Sequence, residues 1–240
     1  MKSSLPKPET LEGKVRLLRA HFLLSQMSKD ELSQLASLSH LMAFESGSSV
    51  FRKGDVDTGL MIVVSGCIKL SATSRGGKEL LVNLVESGHI FGEIAVIDGK
   101  PRSYDATAVA DSVILVVRRS DLLPFLKKRV ELCLTFLTTL CERLRRSEAQ
   151  VQASVFLGAG PRLARRLLHL ASLHGRTEGS GTMIMAPVSQ RDLANSIGMS
   201  RETANRQLCR WRREKVISFK GTSYRILNTP FLKRLSETSL

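Results

Sequence analysis

Three textures of hydrophobic and polar positions follow one another along the chain. Between residues 11 and 40, Leu32, Leu35 and Leu38 recur at helical spacing, and Ser28 followed by Glu31 forms a capping-box sequence, so short helices are predicted. From Met42 to Val117 the apolar runs shorten to GLMIVVSG, CIKLSAT, ELLVNLV and VILVV, rich in β-branched residues and divided by glycines such as Gly54, Gly66, Gly88 and Gly99. Strands at this spacing predict a small all-β barrel or roll. Helical texture then returns.

Ser120 is expected to open a helix over SDLLPFLKKR, with Pro124 near its first turn, and a longer helix follows from about Val130 to Leu157. Leu137, Leu140, Leu144, Ser147, Val151 and Ser154 repeat there with alternating steps of three and four, the seam of a coiled coil. A helix of ~27 residues spans about 40 Å, longer than a small β-roll can cover, so its far half calls for a second copy of the chain. The stripe therefore predicts a homodimer rather than a helix packed wholly on its own roll. Ser147 is the polar interruption, either a tolerated gap or a donor to something held between the helices. LGAGP at 157–161 then breaks the helix, which predicts two domains, 1–157 and 158–240, with a hinge at Gly158, Gly160 and Pro161.

The second domain carries SQRDLANSIGMSRETANRQLCRWRRE at 189–214. Ser189 can cap a first helix, Gly198 allows a tight turn and Ser200 can cap a second helix, while Leu193, Ala194, Ile197, Met199 and Ala204 fill the inner faces. This is a helix-turn-helix, with Arg201, Glu202 and Arg206 projecting outward. Arginine near the start of such a helix can bond guanine O6 and N7, and glutamate can accept from cytosine N4. The alternation in ISFKGTSYRILN, with Lys220 before Gly221, predicts a hairpin wing. Lys220, Arg210, Arg212 and Arg213 suit phosphates, which add affinity without sequence information.

Charge strengthens that reading. The net charge is +14, and residues 158–240 hold fifteen Lys and Arg against five Asp and Glu, so +10 of it lies in the last third. Double-stranded DNA is the expected partner of that part. The four cysteines include no C-x-x-C pair and the five histidines no H-x-H or H-E-x-x-H, so no metal framework is implied. No nucleophile–base pair points to an enzyme. No apolar run reaches ~20 residues and MKSSLPKPETLEGK lacks a signal-peptide core, which predicts a cytoplasmic protein without a membrane span.

One stretch remains, FGEIAVIDGKPRSYDA at 91–106, with Glu93 and Arg102 nine residues apart among Gly92, Gly99 and Pro101. Taken alone, the acid and the base are either solvated ends of a turn or a grip on two ends of one small molecule. Together with GMSRET, Arg206 and the long seam, the chain resembles the Crp/Fnr family of bacterial transcription regulators, specifically its cyclic AMP-responsive branch, over about residues 28–228. The resemblance implies an α+β protein: an N-terminal cyclic-nucleotide-binding β-roll, a dimerising helix and a C-terminal winged helix-turn-helix. FGEIAVIDGKPRS is similar to the family's phosphate-binding cassette. By that resemblance Gly92 and Glu93 would hold the ribose 2′-hydroxyl, with Ile94 beside them, Arg102 and Ser103 would take the cyclic phosphate, and Ser147 would meet the purine.

The same resemblance implies a DNA surface of Gln190, Ser200, Arg201, Glu202, Thr203, Arg206 and Lys220, half-sites like TGTGA in a palindrome, and RNA polymerase as a further partner. Glu148 stands where the family has a small hydroxyl residue, Tyr104 where alanine is common, and Gln207 where the motif has an apolar residue. Cyclic AMP is the expected effector and cyclic GMP the alternative, with no metal. A competing expectation is a relative whose effector is redox, haem or none; such relatives commonly lose the cassette Glu or Arg, and this chain keeps Glu93, Arg102 and Ser103.

Overall fold

A computed structural model describes residues 8–57, 59–77, 79–179, 181–185 and 187–237, the side chain of Arg146 apart. The described chain forms two compact units, one running up to Ala72 and from Asn83 to Glu142, the other made of Thr73–Val82 and the chain from Arg143 onward.

In the first unit, α1 (Leu11–Ala20) and α2 (Lys29–Leu38) precede the strands. The capping box on α2 is complete: the Ser28 hydroxyl accepts from the Glu31 N–H at 3.2 Å, and the Glu31 carboxylate accepts from the Ser28 N–H at 2.8 Å. Two orphan donors of the helix start are thus satisfied by two side chains three positions apart in the capping pattern. The strands β1 (His40–Phe44), β2 (Ser49–Phe51), β3 (Leu60–Ser65), β4 (Cys67–Thr73), β5 (Glu79–Glu86), β6 (Ile90–Phe91), β7 (Asp105–Ala108) and β8 (Ser112–Val117) form two four-stranded sheets, ordered β1-β8-β3-β6 and β2-β7-β4-β5. The resolved pairings are antiparallel, with Leu60 opposite Val117 and Ile62 opposite Leu115. Those four side chains are buried with Leu18, Leu32 and Leu35 of the N-terminal helices and Leu24 between them, together with Leu122, Leu126, Leu132 and Phe136. Alternating residues of the sheet therefore close on the helices as a single core.

Between β6 and β7 lies α3 (Glu93–Asp98), and after β8 come α4 (Arg119–Lys128) and α5 (Val130–Phe156). The expected start of α4 shifts. Arg118 is the cap residue, without a side-chain cap bond, and the Ser120 hydroxyl bonds the Asp121 carboxylate at 3.1 Å instead. Pro124 consequently falls in the second turn, where its missing N–H deprives the Ser120 carbonyl of its helical donor.

Of the six expected seam residues on α5, Leu137, Leu144, Ser147, Val151 and Ser154 are exposed. Leu140 is half-buried, and the large apolar side chains that face solvent are Val130, Leu134, Leu137, Leu144, Val151, Val155 and Phe156. Along 130, 134, 137, 144, 151 and 155 the steps still fit a heptad, with Cys141 and Glu148 at the intervening positions, and both are exposed. Ser147 and Ser154 are exposed beside this stripe, and the Ser154 hydroxyl donates to the Val151 carbonyl. Leucines on both flanks give the helix two overlapping heptad rows, and spacing alone does not choose between them.

In the second unit, Gly158 is extended and caps α6 (Ala159–His174), which opens before Pro161 rather than after it. α6 packs with α9 (Thr229–Glu237) and α8 (Arg201–Arg213). The wing strands β11 (Ile217–Lys220) and β12 (Ser223–Ile226) belong to a four-stranded sheet, ordered β11-β12-β10-β9, with β9 (Gly175–Glu178) and β10 (Gly181–Ile184). Leu163, Leu167, Leu193, Leu208, Trp211, Tyr224 and Leu232 are buried in this unit.

Candidate ligand cassette and nucleic-acid interface

The FGEIAVIDGKPRSYDA stretch folds as strand, left-handed glycine, short helix, glycine cap and strand. Gly92 has φ +82° and caps α3, and Gly99, at φ +70°, ends it with its N–H bonded to the Ala95 carbonyl. A Cβ on Gly92 would lie 2.5 Å from Arg102 Nη1 and 2.8 Å from the Gly59 carbonyl oxygen, so only glycine leaves room for the guanidinium. Arg119 of α4 donates from Nε to the Val96 carbonyl at 2.7 Å, which fixes α3 from its other side.

The acid and the base of this stretch are interior groups. Glu93 is 1% exposed and Arg102 3% exposed, which removes the reading of the pair as solvated ends of a turn. Arg102 donates from Nη1 to the Gly92 carbonyl at 3.1 Å and from Nη2 to the Gly59 carbonyl at 2.9 Å. Its guanidinium lies over the Phe51 ring, 4.3 Å from the centroid, and Nη2 is 3.9 Å from the Asp57 carboxylate. Its backbone is held as well: the Arg102 N–H donates to the Asp55 carbonyl and its carbonyl accepts from the Gly54 N–H, both at 2.8 Å. Arg102 Nε is buried without a hydrogen-bond partner among the described residues. Burial pulls the Arg102 pKa down, and Asp57, then Glu93, then Asp55 pull it back up, while the guanidinium stays charged.

Of the other cassette residues, Ile94 is half-buried and Ser103 is exposed next to Arg102. Ser147 lies on α5 within the second compact unit, while Gly92, Glu93, Ile94, Arg102 and Ser103 all lie in the first. Phe51, Asp57 and Gly59 are the residues that sequence reasoning missed. Phe51 ends β2, and Asp57 and Gly59 lie between β2 and β3; all three stand more than forty positions before Arg102, and no local pattern marks them.

The second candidate site is built on α7 (Gln190–Asn195) and α8. Ser189 and Asp192 form a capping box at the start of α7. The turn is held by the Met199 N–H on the Ala194 carbonyl at 3.1 Å, by the Ser196 hydroxyl on the Leu193 carbonyl at 2.8 Å, and by Gly198 at φ +63°. Gln150 of α5 adds a bond from Nε2 to the Ser196 carbonyl at 2.9 Å. Ser200 caps α8, its hydroxyl accepting from the Thr203 N–H at 3.2 Å.

Ala204, Leu208 and Trp211 form the buried stripe of α8, which leaves Arg201, Glu202, Asn205, Arg206, Arg210, Arg212 and Arg213 exposed. The Glu202 carboxyl is held below its ordinary range, first by its own backbone N–H, then by the Ser200 hydroxyl, with Arg201 and Arg206 adding. It is thus an ionised acceptor at neutral pH. Arg206 reaches the Thr203 hydroxyl at 3.5 Å, Arg210 pairs with Glu214 at 2.9 Å, and Arg212 lies over the Phe219 ring of the wing at 4.9 Å. Lys220 is exposed at the wing tip, opposite Ser223, and Gln190 is half-buried at the first position of α7. Apart from Gln190 and Thr203, which are half-buried, the residues expected to face DNA are exposed.

Among the described residues no group of His, Cys, Asp or Glu is arranged to hold a metal ion, and no helix is long and apolar enough to cross a membrane.

A β-roll with an internal acid–base cassette and a winged helix-turn-helix with an arginine-rich outer face define a ligand-sensing DNA-binding regulator. Residues 41–129 match the cyclic nucleotide-binding domain, and residues 161–235 match the Crp-like helix-turn-helix domain. The chain is 29% identical over 191 residues to the CRP-like cAMP-activated global transcriptional regulator of Mycobacterium tuberculosis, covering 80% of this chain and 85% of that protein. It is also 29% identical over 182 residues to the cyclic AMP receptor protein of Thermus thermophilus, covering 76% and 81%. The fold is shared with the solved structure of FixK2 from Bradyrhizobium japonicum, at TM-score 0.74 and 19% identity, over 84% of this chain and 99% of that one. The chain belongs to the Crp/Fnr family of transcription regulators, which are not enzymes.

Proposed function

We propose that this regulator binds a cyclic purine nucleotide in the cassette, cyclic AMP before cyclic GMP, and in response binds a palindromic TGTGA-like DNA site as a homodimer. The observation that carries the proposal is the burial of Glu93, at the start of α3, and of Arg102, which follows that helix in the chain. A buried guanidinium is a costly group unless an anion completes it, and a cyclic phosphate brings one negative charge with two acceptor oxygens. A buried carboxylate is the natural acceptor for a ribose 2′-hydroxyl.

In this reading Arg102 and Ser103 take the phosphate, Glu93 and the Gly92 backbone take the ribose, Ile94 lines the pocket, and Ser147 receives the purine. Arg201, Glu202 and Arg206 read bases, while Gln190, Ser200, Thr203 and Lys220 bond the sugar-phosphate backbone. The exposed apolar stripe on α5 is the surface for the second copy. The domains meet at the 157/158 break, RNA polymerase is a further partner, and the protein acts in the cytoplasm. The switch is a linkage: nucleotide shifts the population toward the DNA-competent dimer by its differential affinity for the two states and no more.

Calorimetric titration with cyclic AMP and cyclic GMP, with and without a TGTGA palindrome, tests the proposal directly. Arg102→Ala is expected to weaken nucleotide binding by about a hundredfold, on the order of 3 kcal/mol, and to remove the nucleotide dependence of DNA binding. If Arg102→Ala binds the palindrome with unchanged nucleotide dependence, the proposal is wrong.

A further inference from the structure

We propose that Asp57 is a built-in counter-ion that competes with the ligand for Arg102 and so sets the affinity of the cassette for anions. The inference rests on reading Arg102 as the phosphate-binding group. Two of its N–H groups are already committed to backbone carbonyls, those of Gly92 and Gly59, and its face is covered by Phe51. The acceptor with a full negative charge beside it is Asp57, whose Oδ2 lies 3.9 Å from Nη2.

The exposures of the pair are opposite: the Arg102 side chain is 2% exposed and that of Asp57 is 67% exposed. Asp57 is the outer, hydrated end of an ion pair whose inner end is fixed. Arg102 is held in place by four backbone hydrogen bonds, two to its side chain and two to its main chain, so the carboxylate is not needed to orient it. The separation exceeds hydrogen-bond length, so what Asp57 supplies is charge rather than geometry.

Two effects of that charge act in the same direction on an incoming phosphate. In the free protein Asp57 stabilises the guanidinium and satisfies part of its demand for an anion. In the complex the carboxylate and the phosphate stand near one another as like charges. Neutralising Asp57 removes both effects, and for an exposed group at this distance the gain in anion affinity is about fivefold. Asp55 differs: its carboxylate accepts from the Arg52 N–H at 2.8 Å and is occupied by its own turn, and its pull on the Arg102 charge is weaker than those of Asp57 and Glu93.

The test compares full-length wild type, Asp57→Asn, Asp57→Glu and Asp55→Asn by calorimetry with cyclic AMP and cyclic GMP, and by thermal stabilisation with inorganic phosphate. Asp57→Asn is expected to bind both nucleotides about fivefold more tightly at low salt, with the gain lost in about 1 M salt, where the screening length falls to ~3 Å. Asp57→Glu should stay near wild type, and Asp55→Asn should gain less than Asp57→Asn. If wild type binds nucleotide and Asp57→Asn binds it equally or more weakly, the counter-ion role fails while the nucleotide reading stands. If wild type binds neither nucleotide, yet inorganic phosphate stabilises Asp57→Asn more than wild type, the nucleotide reading fails and the counter-ion role stands. No difference between Asp57→Asn and wild type with any of the three anions overturns the inference.

Discussion

The cassette and the reading helix use the same residue types in opposite environments. Glu93 and Arg102 are interior groups, and Arg102 is held by carbonyls and an aromatic ring beside a left-handed glycine. Arg201, Glu202 and Arg206 are exposed, on a helix anchored only from beneath by Ala204, Leu208 and Trp211. The difference follows from the ligand each is shaped for. A small anion offers few contacts, so each must be desolvated and preorganised before it arrives. A duplex offers a long row of phosphates and base edges, and hydrated, mobile arginines can be ordered one by one as it docks.

The largest expected effect separates the two glycines on which these sites turn. Gly92→Ala places a Cβ against Arg102 Nη1 and the Gly59 carbonyl and forces alanine to φ +82°, so it should cost at least ~2 kcal/mol and abolish nucleotide binding. Gly198 has φ +63° but open space around it, so Gly198→Ala should cost only ~1 kcal/mol, the left-handed penalty alone, and leave operator binding measurable. Denaturant titration of the two variants checks the contrast. Equal losses would mean that crowding around Arg102 is not what makes the cassette glycine special.

A smaller effect is expected on the exposed side. Glu202→Ala should relax base preference more than it changes low-salt affinity, because an exposed acid among arginines adds selectivity rather than attraction. Lys220→Ala should weaken binding evenly across sequences and reduce the salt slope by about 0.9. Binding-site selection with each variant separates the two, and an unchanged preference profile for Glu202→Ala would remove it from the reading set.

What could be read from the sequence divides along local and non-local lines. The helix starts at Ser28, Ser189 and Ser200 were legible, because a cap is a bond between residues three apart and the sequence displays both partners. The turn at Gly198 and the wing at Lys220-Gly221 were legible for the same reason. Glu93 and Arg102 were legible as residues, but their burial was not, since Phe51, Asp57 and Gly59 reach them across the chain. On α5 the heptad period was legible, while the choice between its overlapping rows was not. A heptad pattern with leucines on adjacent rows, such as Leu137, Leu140 and Leu144, fixes the period but leaves the facing row to tertiary packing, which half-buries Leu140. At α4 a plausible cap, Ser120, lies inside the helix, which is capped two positions earlier at Arg118, and its hydroxyl bonds Asp121.

A third acid–base pair supplies a scale for the contrast between buried and exposed groups. Glu31 accepts from Arg129 Nε at 3.0 Å and from Nη2 at 2.6 Å while also closing the capping box on α2. The geometry is bidentate, yet the Arg129 side chain is 41% exposed, so water weakens the pair. The Glu31 carboxyl is held below its ordinary value, first by the Ser28 N–H and then by Arg129. A carboxyl whose folded pKa is depressed stabilises the fold above its unfolded pKa of about 4.3, and that contribution is lost as pH falls through the lower folded value. Glu31→Gln should therefore cost about 1 kcal/mol at neutral pH and nothing once the pH has fallen below the lowered folded pKa, where wild type carries the neutral group as well. Chemical denaturation of both proteins across that range measures it. A cost that persists in acid would assign the role of Glu31 to shape rather than charge, and the weak exposed pair would no longer serve as the reference against which the buried Arg102 is judged.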